Sequence, residues 1–329
     1  MNTHASQPPA PAERQDHTAR PLAPRERIVV AGGTGFIGRA LCSALVADGH
    51  DVVVLSRADH STVPGTRAVR WSAITPDGAT QDDATPDHAW LDALDGARAV
   101  VNLCGSSIAE GRWSASRKRE LIDSRTRPAQ ALLAAIARLD APPALLLQAS
   151  GVGYVGTADR PTDETAPPGG DFLAQLAVEW EATLQAATVP TAALRFGVVL
   201  GHSGALPRML LPFRLYAGGP IGTGQQWLSW IHIDDAVAAI RFAIEHTMTG
   251  PINVTAPEPL RNRDFAAVAG RVLGRPTWLK TPAFALHLAL GEQASLVCEG
   301  QQALPARLLA AGFRFRYPML ESALRALCA

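Results

Sequence analysis

Only four of the 329 residues are cysteine, and Cys42, Cys104, Cys298 and Cys328 stand far apart. No C-x-x-C pair and no histidine cluster accompanies them. The pattern argues against a disulfide framework or a metal site and for reduced, mostly buried thiols. Net charge is missing too, since 30 basic residues balance 30 acidic ones. That balance offers no bulk attraction to nucleic acid or to an anionic membrane. No apolar run approaches the roughly 20 residues of a membrane span. Residues 1–26 hold Pro, Ala and polar residues with almost no large apolar ones, which predicts a disordered tail. The tail also lacks the apolar core of a secretory signal. A soluble, cytoplasmic protein is expected. Its hydrophobic content of 47% suits one large or two small domains with a sizeable core.

What is present begins at Ile28. The run Ile28-Val29-Val30-Ala31 reads as a buried strand, followed at once by Gly32-Gly33-Thr34-Gly35-Phe36-Ile37-Gly38. From Phe36 to about Ala47 the apolar positions recur at helical spacing. Gly32, Gly35 and Gly38 thus form a G-x-x-G-x-x-G turn between a strand and a helix. Glycine allows a tight turn and a close approach to a pyrophosphate, which the helix N-terminus stabilises. The alternative is a plain structural turn. A second strand, Asp51 to Ser56, is followed by Arg57. In a dinucleotide-binding unit this position meets the adenosine ribose, where an acidic residue favours NAD. A hydroxyl and a guanidinium suit a 2′-phosphate instead, so NADP(H) is the expected cofactor. A solvated surface arginine would look the same.

Further strands are expected at Arg67–Trp71, Ala99–Gly105, Leu145–Ser150 and Thr191–Leu200. The second of these strands ends in Asn102-Leu103-Cys104-Gly105 at the carboxyl edge, where open α/β sheets bind ligands. Helices are expected from Trp90, from Ser114 to Leu139 (in two pieces if Pro128 breaks it) and from Asp171 to Ala187 with Asp171 as N-cap. Residues 77–88 read as a loop. The alternation predicts a Rossmann-type, doubly wound parallel sheet over residues 27–200. Residues 201–329 read as a smaller, mainly helical substrate lobe, with helical segments near 282–291, 294–311 and 318–327.

With these stretches laid out, the chain resembles the extended short-chain dehydrogenase/reductase superfamily. More narrowly, it resembles the NAD-dependent epimerase/dehydratase-like proteins that carry a C-terminal domain of unknown function, here about 276–329. The resemblance rests on the glycine loop, Asn102 to Gly105, Ser107 to Trp113, Ser124-Arg125 and Ser150 to Gly156. It continues through Phe172 to Glu181, Arg195 to Gly201, Gly219 to Asp235 and Gly291 to Phe313. It implies a small-molecule substrate, a cofactor held by Gly32, Gly33, Thr34, Gly35, Phe36, Ile37, Gly38, Ser56, Arg57, Asn102, Leu103 and Gly105, and a homodimer, as relatives often are.

Enzymes of the superfamily use a Ser or Thr after the fifth strand and a Tyr-x-x-x-Lys on the next helix to exchange a proton as hydride moves. Ser150 fits the first role. Phe172 and Leu176 stand where the Tyr and Lys would be, and none of the three tyrosines (Tyr154, Tyr216, Tyr317) begins such a motif. Two readings follow. Either the chain is a reductase or epimerase whose acid comes from elsewhere, or it binds NADP(H) as a catalytically weak regulatory or sensing protein. For the first, Tyr154 is the candidate acid and Arg125 an electrostatic partner, at a position where relatives usually carry Asn. His232, in Trp-Ile-His-Ile-Asp-Asp, is a candidate acid or base, or else a structural residue bonded to Asp235. Gly219 to Gly224 could bind an anion or only reverse the chain. Gln302 replaces an Arg common in relatives.

Overall fold

The computed structural model describes residues 25–57, 63–71 and 89–329. Residues 1–24 of the expected tail and the expected loop at 77–88 lie outside the described residues. The elements run Arg27–Ala31 (β1), Phe36–Ala47 (α1), Asp51–Ser56 (β2), Arg67–Arg70 (β3), Ala89–Leu94 (α2), Ala99–Asn102 (β4), Ala115–Ile136 (α3) and Leu146–Gly151 (β5). Then come Ala158–Thr162 (β6), Phe172–Ala182 (α4), Thr191–Phe196 (β7), Val198–Leu200 (β8), Ala205–Arg214 (α5), Trp227–Leu228 (β9), Trp230–His232 (β10) and Ile233–Glu245 (α6). The chain ends with Gly250–Val254 (β11), Leu260–Arg261 (β12), Asn262–Leu273 (α7), Ala283–Leu290 (α8), Ser295–Cys298 (α9), Gln301–Ala303 (β13), Ala306–Ala310 (α10) and Leu320–Cys328 (α11).

Seven strands form one sheet in the order β11-β7-β5-β4-β1-β2-β3, and every neighbouring pair is parallel. Side chains alternate across a strand, so Ile28 and Val30 face one layer while Val29 and Ala31 face the other. The first layer is closed by α1 and α6, through Leu41, Leu45, Ile240 and Ile244. The second is closed by α2 and α3, through Leu94, Leu132, Leu133 and Ile136. This is the expected doubly wound fold. Strand order reverses at β1 and β4, which opens a crevice between the loops that follow them.

Three elements differ from expectation. The strand β11 joins the main sheet beside β7, so the sheet layer runs past residue 200 and includes α6. The expected strand to Leu200 divides at Gly197, because a Cβ there would lie 2.6 Å from the Ser229 carbonyl oxygen; β8 turns away to pair with β10. Residues 301–303 are a strand paired with β6 rather than helix. Ser229 fixes that strand, its hydroxyl donating to the Gln301 carbonyl at 2.7 Å and accepting from the Ala303 N–H at 2.9 Å. By contrast α3 runs unbroken past Pro128, because Leu121, Pro128, Ala129, Leu132 and Leu133 bury its inner face and tertiary packing supplies most helical stability.

A separate core joins α5, α7 and α11 through Phe213, Phe265, Leu320 and Leu324. The C-terminal segment is tied to the sheet layer by buried polar groups. Asp235 accepts from the Arg316 and Tyr317 N–H groups, each at 2.8 Å. Glu164 accepts from the N–H groups of Asn253 and Arg307. Burial pushes the Asp235 carboxyl above its ordinary range, against the lowering effect of the two N–H donors.

Candidate functional site: a dinucleotide cradle and the cleft beside it

The loop between β1 and α1 leaves no room for side chains. Gly32 has a φ of 79°, and a Cβ there would sit 2.9 Å from the Leu103 carbonyl. A Cβ on Gly38 would collide with the Gly32 oxygen and lie 2.7 Å from the Gly33 Cα. Both obstacles are backbone, so neither can give way. Gly35 caps α1 without a side chain, and no acid stands in the first turn. The first helical bond is made by Arg39, whose N–H meets the Gly35 carbonyl at 2.9 Å. The N–H groups of Phe36, Ile37 and Gly38 find no acceptor among the described residues, the ordinary condition of an uncapped helix start and one suited to a phosphate. Phe36 packs on Gly201 and Gly204 and Ile37 on the core, while Arg39 braces the turn with a 2.7 Å bond to the Thr34 carbonyl.

Across the crevice, the Leu103 N–H continues the β1 ladder by bonding the Ala31 carbonyl at 2.9 Å. Asn102 is fully buried and accepts from the Cys104 N–H at 3.2 Å, which shapes the turn toward Gly105. Ser56 ends β2 on the same edge, and Arg57 follows it, exposed. The guanidinium of Arg57 acts on the Cys104 thiol, which burial nonetheless pushes up to about 12. These residues fit a dinucleotide, and the basic group at the end of β2 fits one carrying a 2′-phosphate.

Ser150 and Tyr154 meet around an ion pair that the sequence reading missed. Ser150 and Arg195 are register partners on β5 and β7, so their side chains share a face and reach Glu181 on α4. The Ser150 hydroxyl donates to Glu181 Oε1 at 2.7 Å. Arg195 grips both oxygens of the same carboxylate at 2.8 Å and lies 3.5 Å over the Tyr154 ring. Ser150 is only 5% exposed, and its proton is directed at α4. The signal that could have revealed this is the alternation in β5, where Leu147 joins the α1 side and Ser150 must therefore face α4.

Arg125 is also built into the fold. Its guanidinium bonds the carbonyls of Leu121 and Ser106 at 2.9 and 3.0 Å, lies against Gly105 and stacks 5.2 Å from Trp180. Burial, then the neighbouring Arg117, lowers its pKa to about 10. It holds the Gly105–Ser106 turn on α3. His232 shares no partner with Ser150. Its Nδ1 accepts from the Asp234 N–H at 3.0 Å and so caps α6, and its ring stacks on Tyr317 at 3.9 Å. The partner is therefore Asp234 rather than Asp235. Burial lowers the His232 pKa, against the pull of Asp234.

Phe172 and Leu176 line an apolar wall with Trp113 and Leu121, Trp113 meeting the Phe172 ring edge-on at 5.0 Å. Lys118 stands over that ring, its Nζ 4.7 Å from the centroid, and binds both Glu292 oxygens at 2.6 Å. Neither Lys118 nor its partner was singled out as a pair from the sequence, because they lie 174 positions apart. The 219–224 loop is not arranged for an anion. Its Gly222 N–H goes to Thr281, that of Gly224 to Ile221, and that of Ile221 to Asn262. The loop thereby docks the start of the C-terminal segment. Gln302 lies in β13, its carbonyl accepting from Thr162.

The model of the NAD dependent epimerase/dehydratase family matches residues 28–255, and that of a domain of unknown function, DUF1731, matches residues 281–327. Epimerase family protein YfhF of Bacillus subtilis is 40% identical over 310 residues, covering 92% of this chain and 98% of that protein. Epimerase family protein SDR39U1 homolog, chloroplastic, of Arabidopsis thaliana is 41% identical, covering 91% of this chain and 86% of that one. The crystal structure of human epimerase family protein SDR39U1 (isoform 2), solved with NADPH, is 35% identical with a TM-score of 0.78, covering 92% of this chain and 98% of that one. Among the described residues no helix is long and apolar enough to cross a membrane.

Proposed function

From a chain that belongs to the NAD dependent epimerase/dehydratase family, we propose an NADP(H)-dependent oxidoreductase acting on a small carbonyl, sugar or nucleotide-linked substrate. The observation that carries this is the cradle: two glycines that admit no Cβ, and a helix start whose first three N–H groups have no acceptor among the described residues. Those N–H groups would hold the pyrophosphate. Ser56 and Arg57 would hold the 2′-phosphate, with Asn102, Leu103 and Gly105 closing the crevice opposite. The relative solved with NADPH supports the same choice of cofactor. When bound, the nicotinamide supplies or accepts hydride.

The chain's own residues divide the remaining work. Glu181 and Arg195 hold Ser150 and the Tyr154 ring in place, and Arg125 holds the turn after Gly105. Phe172 and Leu176 exclude water from the wall where a Tyr and a Lys would stand. The test mixes purified protein with NADPH and a panel of carbonyl compounds and sugar nucleotides. Loss of nicotinamide absorbance with at least one panel member is expected. The commitment of the Ser150 hydroxyl to Glu181 favours a second reading, a regulatory NADP(H)-binding protein. Tight NADPH binding with no turnover on any panel member would select that one.

A further inference from the structure

Of the 30 basic residues in this chain only two are lysine, Lys118 and Lys280. Arginine supplies the other 28 basic residues, yet the residue over the Phe172 ring is lysine. The difference is chemical: a guanidinium keeps its proton in proteins, whereas an ammonium can give one up and take it back. Position also matters. The helices α3 and α4 both begin at the carboxyl edge of the sheet, after β4 and β5, which is the edge that carries the glycine cradle. Lys118 ends the first turn of α3 and Phe172 opens α4, so their contact stands at that edge. Phe172 occupies the place of the proton-donating tyrosine in the enzymes this chain resembles.

The lysine is held from the other side by the C-terminal domain. Glu292 takes Lys118 Nζ with both oxygens at 2.6 Å. Around this pair, Gln293 bonds the Ile108 carbonyl at 3.1 Å and Arg112 bonds the Leu288 carbonyl at 3.1 Å. Leu296 packs on the same wall. The side chain of Lys118 keeps 28% exposure and that of Glu292 50%, so the ammonium is fixed yet reachable. An exposed ion pair of this kind adds little to stability, which leaves its placement to be explained.

We propose that Lys118, oriented by Glu292, is the proton donor that replaces the missing tyrosine, acting on the carbonyl oxygen of the substrate. The inference rests on the oxidoreductase reading above. Lys118 gives one Nζ proton to the oxygen as the carbonyl carbon takes a hydride from the reduced nicotinamide. A C–H and an O–H bond form, the C=O π bond, the C–H bond of the hydride donor and one N–H bond break, and the neutral amine takes up one proton from solvent beside Glu292. The C-terminal domain thereby completes the site, since one half of the pair is its own.

Reductive methylation of the full chain with ¹³C-formaldehyde labels only Lys118, Lys280 and the N-terminal amine, and Lys118→Arg assigns the first. NADPH and NADP⁺ differ only in the nicotinamide ring, so a signal that differs between the two complexes lies near that ring. The Lys118 signal is expected to move between the NADPH- and NADP⁺-saturated protein while the Lys280 signal stays put. Superimposable Lys118 signals, with both cofactors shown bound by fluorescence, would overturn the proposal. Failure of either cofactor to bind would instead overturn the oxidoreductase reading beneath it. On a panel substrate, Lys118→Arg keeps the ion pair but has no proton to release, so a kcat loss of about 10²–10⁴-fold is expected with unchanged NADPH affinity. Wild-type turnover in that variant would also overturn it.

Discussion

Glu181→Ala tests the buried network that fixes Ser150. In the folded chain Glu181 answers two donors of Arg195 at 2.8 Å and the Ser150 hydroxyl at 2.7 Å. The side chain of Arg195 is 4% exposed and that of Glu181 15%. Removing the carboxylate strands a buried guanidinium, which costs about 3–5 kcal/mol in comparable pairs. For a chain of this size that is a loss of roughly 6–15 °C in melting temperature, read by calorimetry or circular dichroism. Ser150→Ala removes only one hydrogen bond and leaves the ion pair, so about 1 kcal/mol is expected. Glu181→Leu combined with Arg195→Met removes both charges and is expected to recover most of the loss. A Glu181→Ala protein that melts within about 2 °C of the parent would show that the carboxylate does not hold this network together. So would a Ser150→Ala protein that loses more than Glu181→Ala does.

Three further outcomes follow from other parts of the molecule. Gly38→Ala pushes a Cβ against the Gly32 carbonyl and the Gly33 backbone, so NADPH affinity, measured by nicotinamide fluorescence, is expected to fall by about 100-fold or more from backbone strain of a few kcal/mol; parental affinity contradicts the cradle geometry. Tyr154→Phe keeps the stack on Arg195 and loses only the hydroxyl, so it is expected to spare kcat where Lys118→Arg does not; the reverse order would restore Tyr154 as the acid. His232 has a depressed pKa in the fold, so its contribution to stability is present above the ordinary imidazole range and is lost as pH falls through the lower folded value. His232→Asn retains a capping acceptor but cannot titrate there, and its denaturant midpoint is expected to fall less than the parent's on acidification; parallel losses would sink that assignment.

The cradle and the sheet were legible because their signals are local. A β-branched run, a glycine turn and a helical period occupy consecutive residues from Ile28 to Ala47. Asp171 announces α4 in the same way, its carboxylate accepting from the Ala174 N–H at 2.9 Å. The chemistry beside the cradle is assembled from distant residues and left no such signal. Glu181 finds Arg195 through strand register, and Lys118 finds Glu292 through the docking of a domain whose own sequence reads as plain helix. The short strands β11 and β13 were missed for a related reason. Gly250–Val254 follows a helix in a region with a changed rhythm, and Gln301–Ala303 has no apolar alternation, its pairing being set by β6 and Ser229 instead. In the segment Trp230 to Asp235, His232 read either as an acid or base or as a structural residue bonded to Asp235. The fold uses His232 to cap α6 and Asp235 to hold the Arg316–Tyr317 backbone.

The crevice between β1 and β4 is proposed to bind a 2′-phosphorylated nicotinamide dinucleotide. The most direct measurement is a pair of fluorescence titrations of the full chain with NADPH and with NADH, repeated on Arg57→Ala. NADPH is expected to bind at least about tenfold more tightly, a difference of about 1.4 kcal/mol or more, and Arg57→Ala to erase most of that preference. Equal dissociation constants for the two cofactors in the parent chain would contradict this expectation.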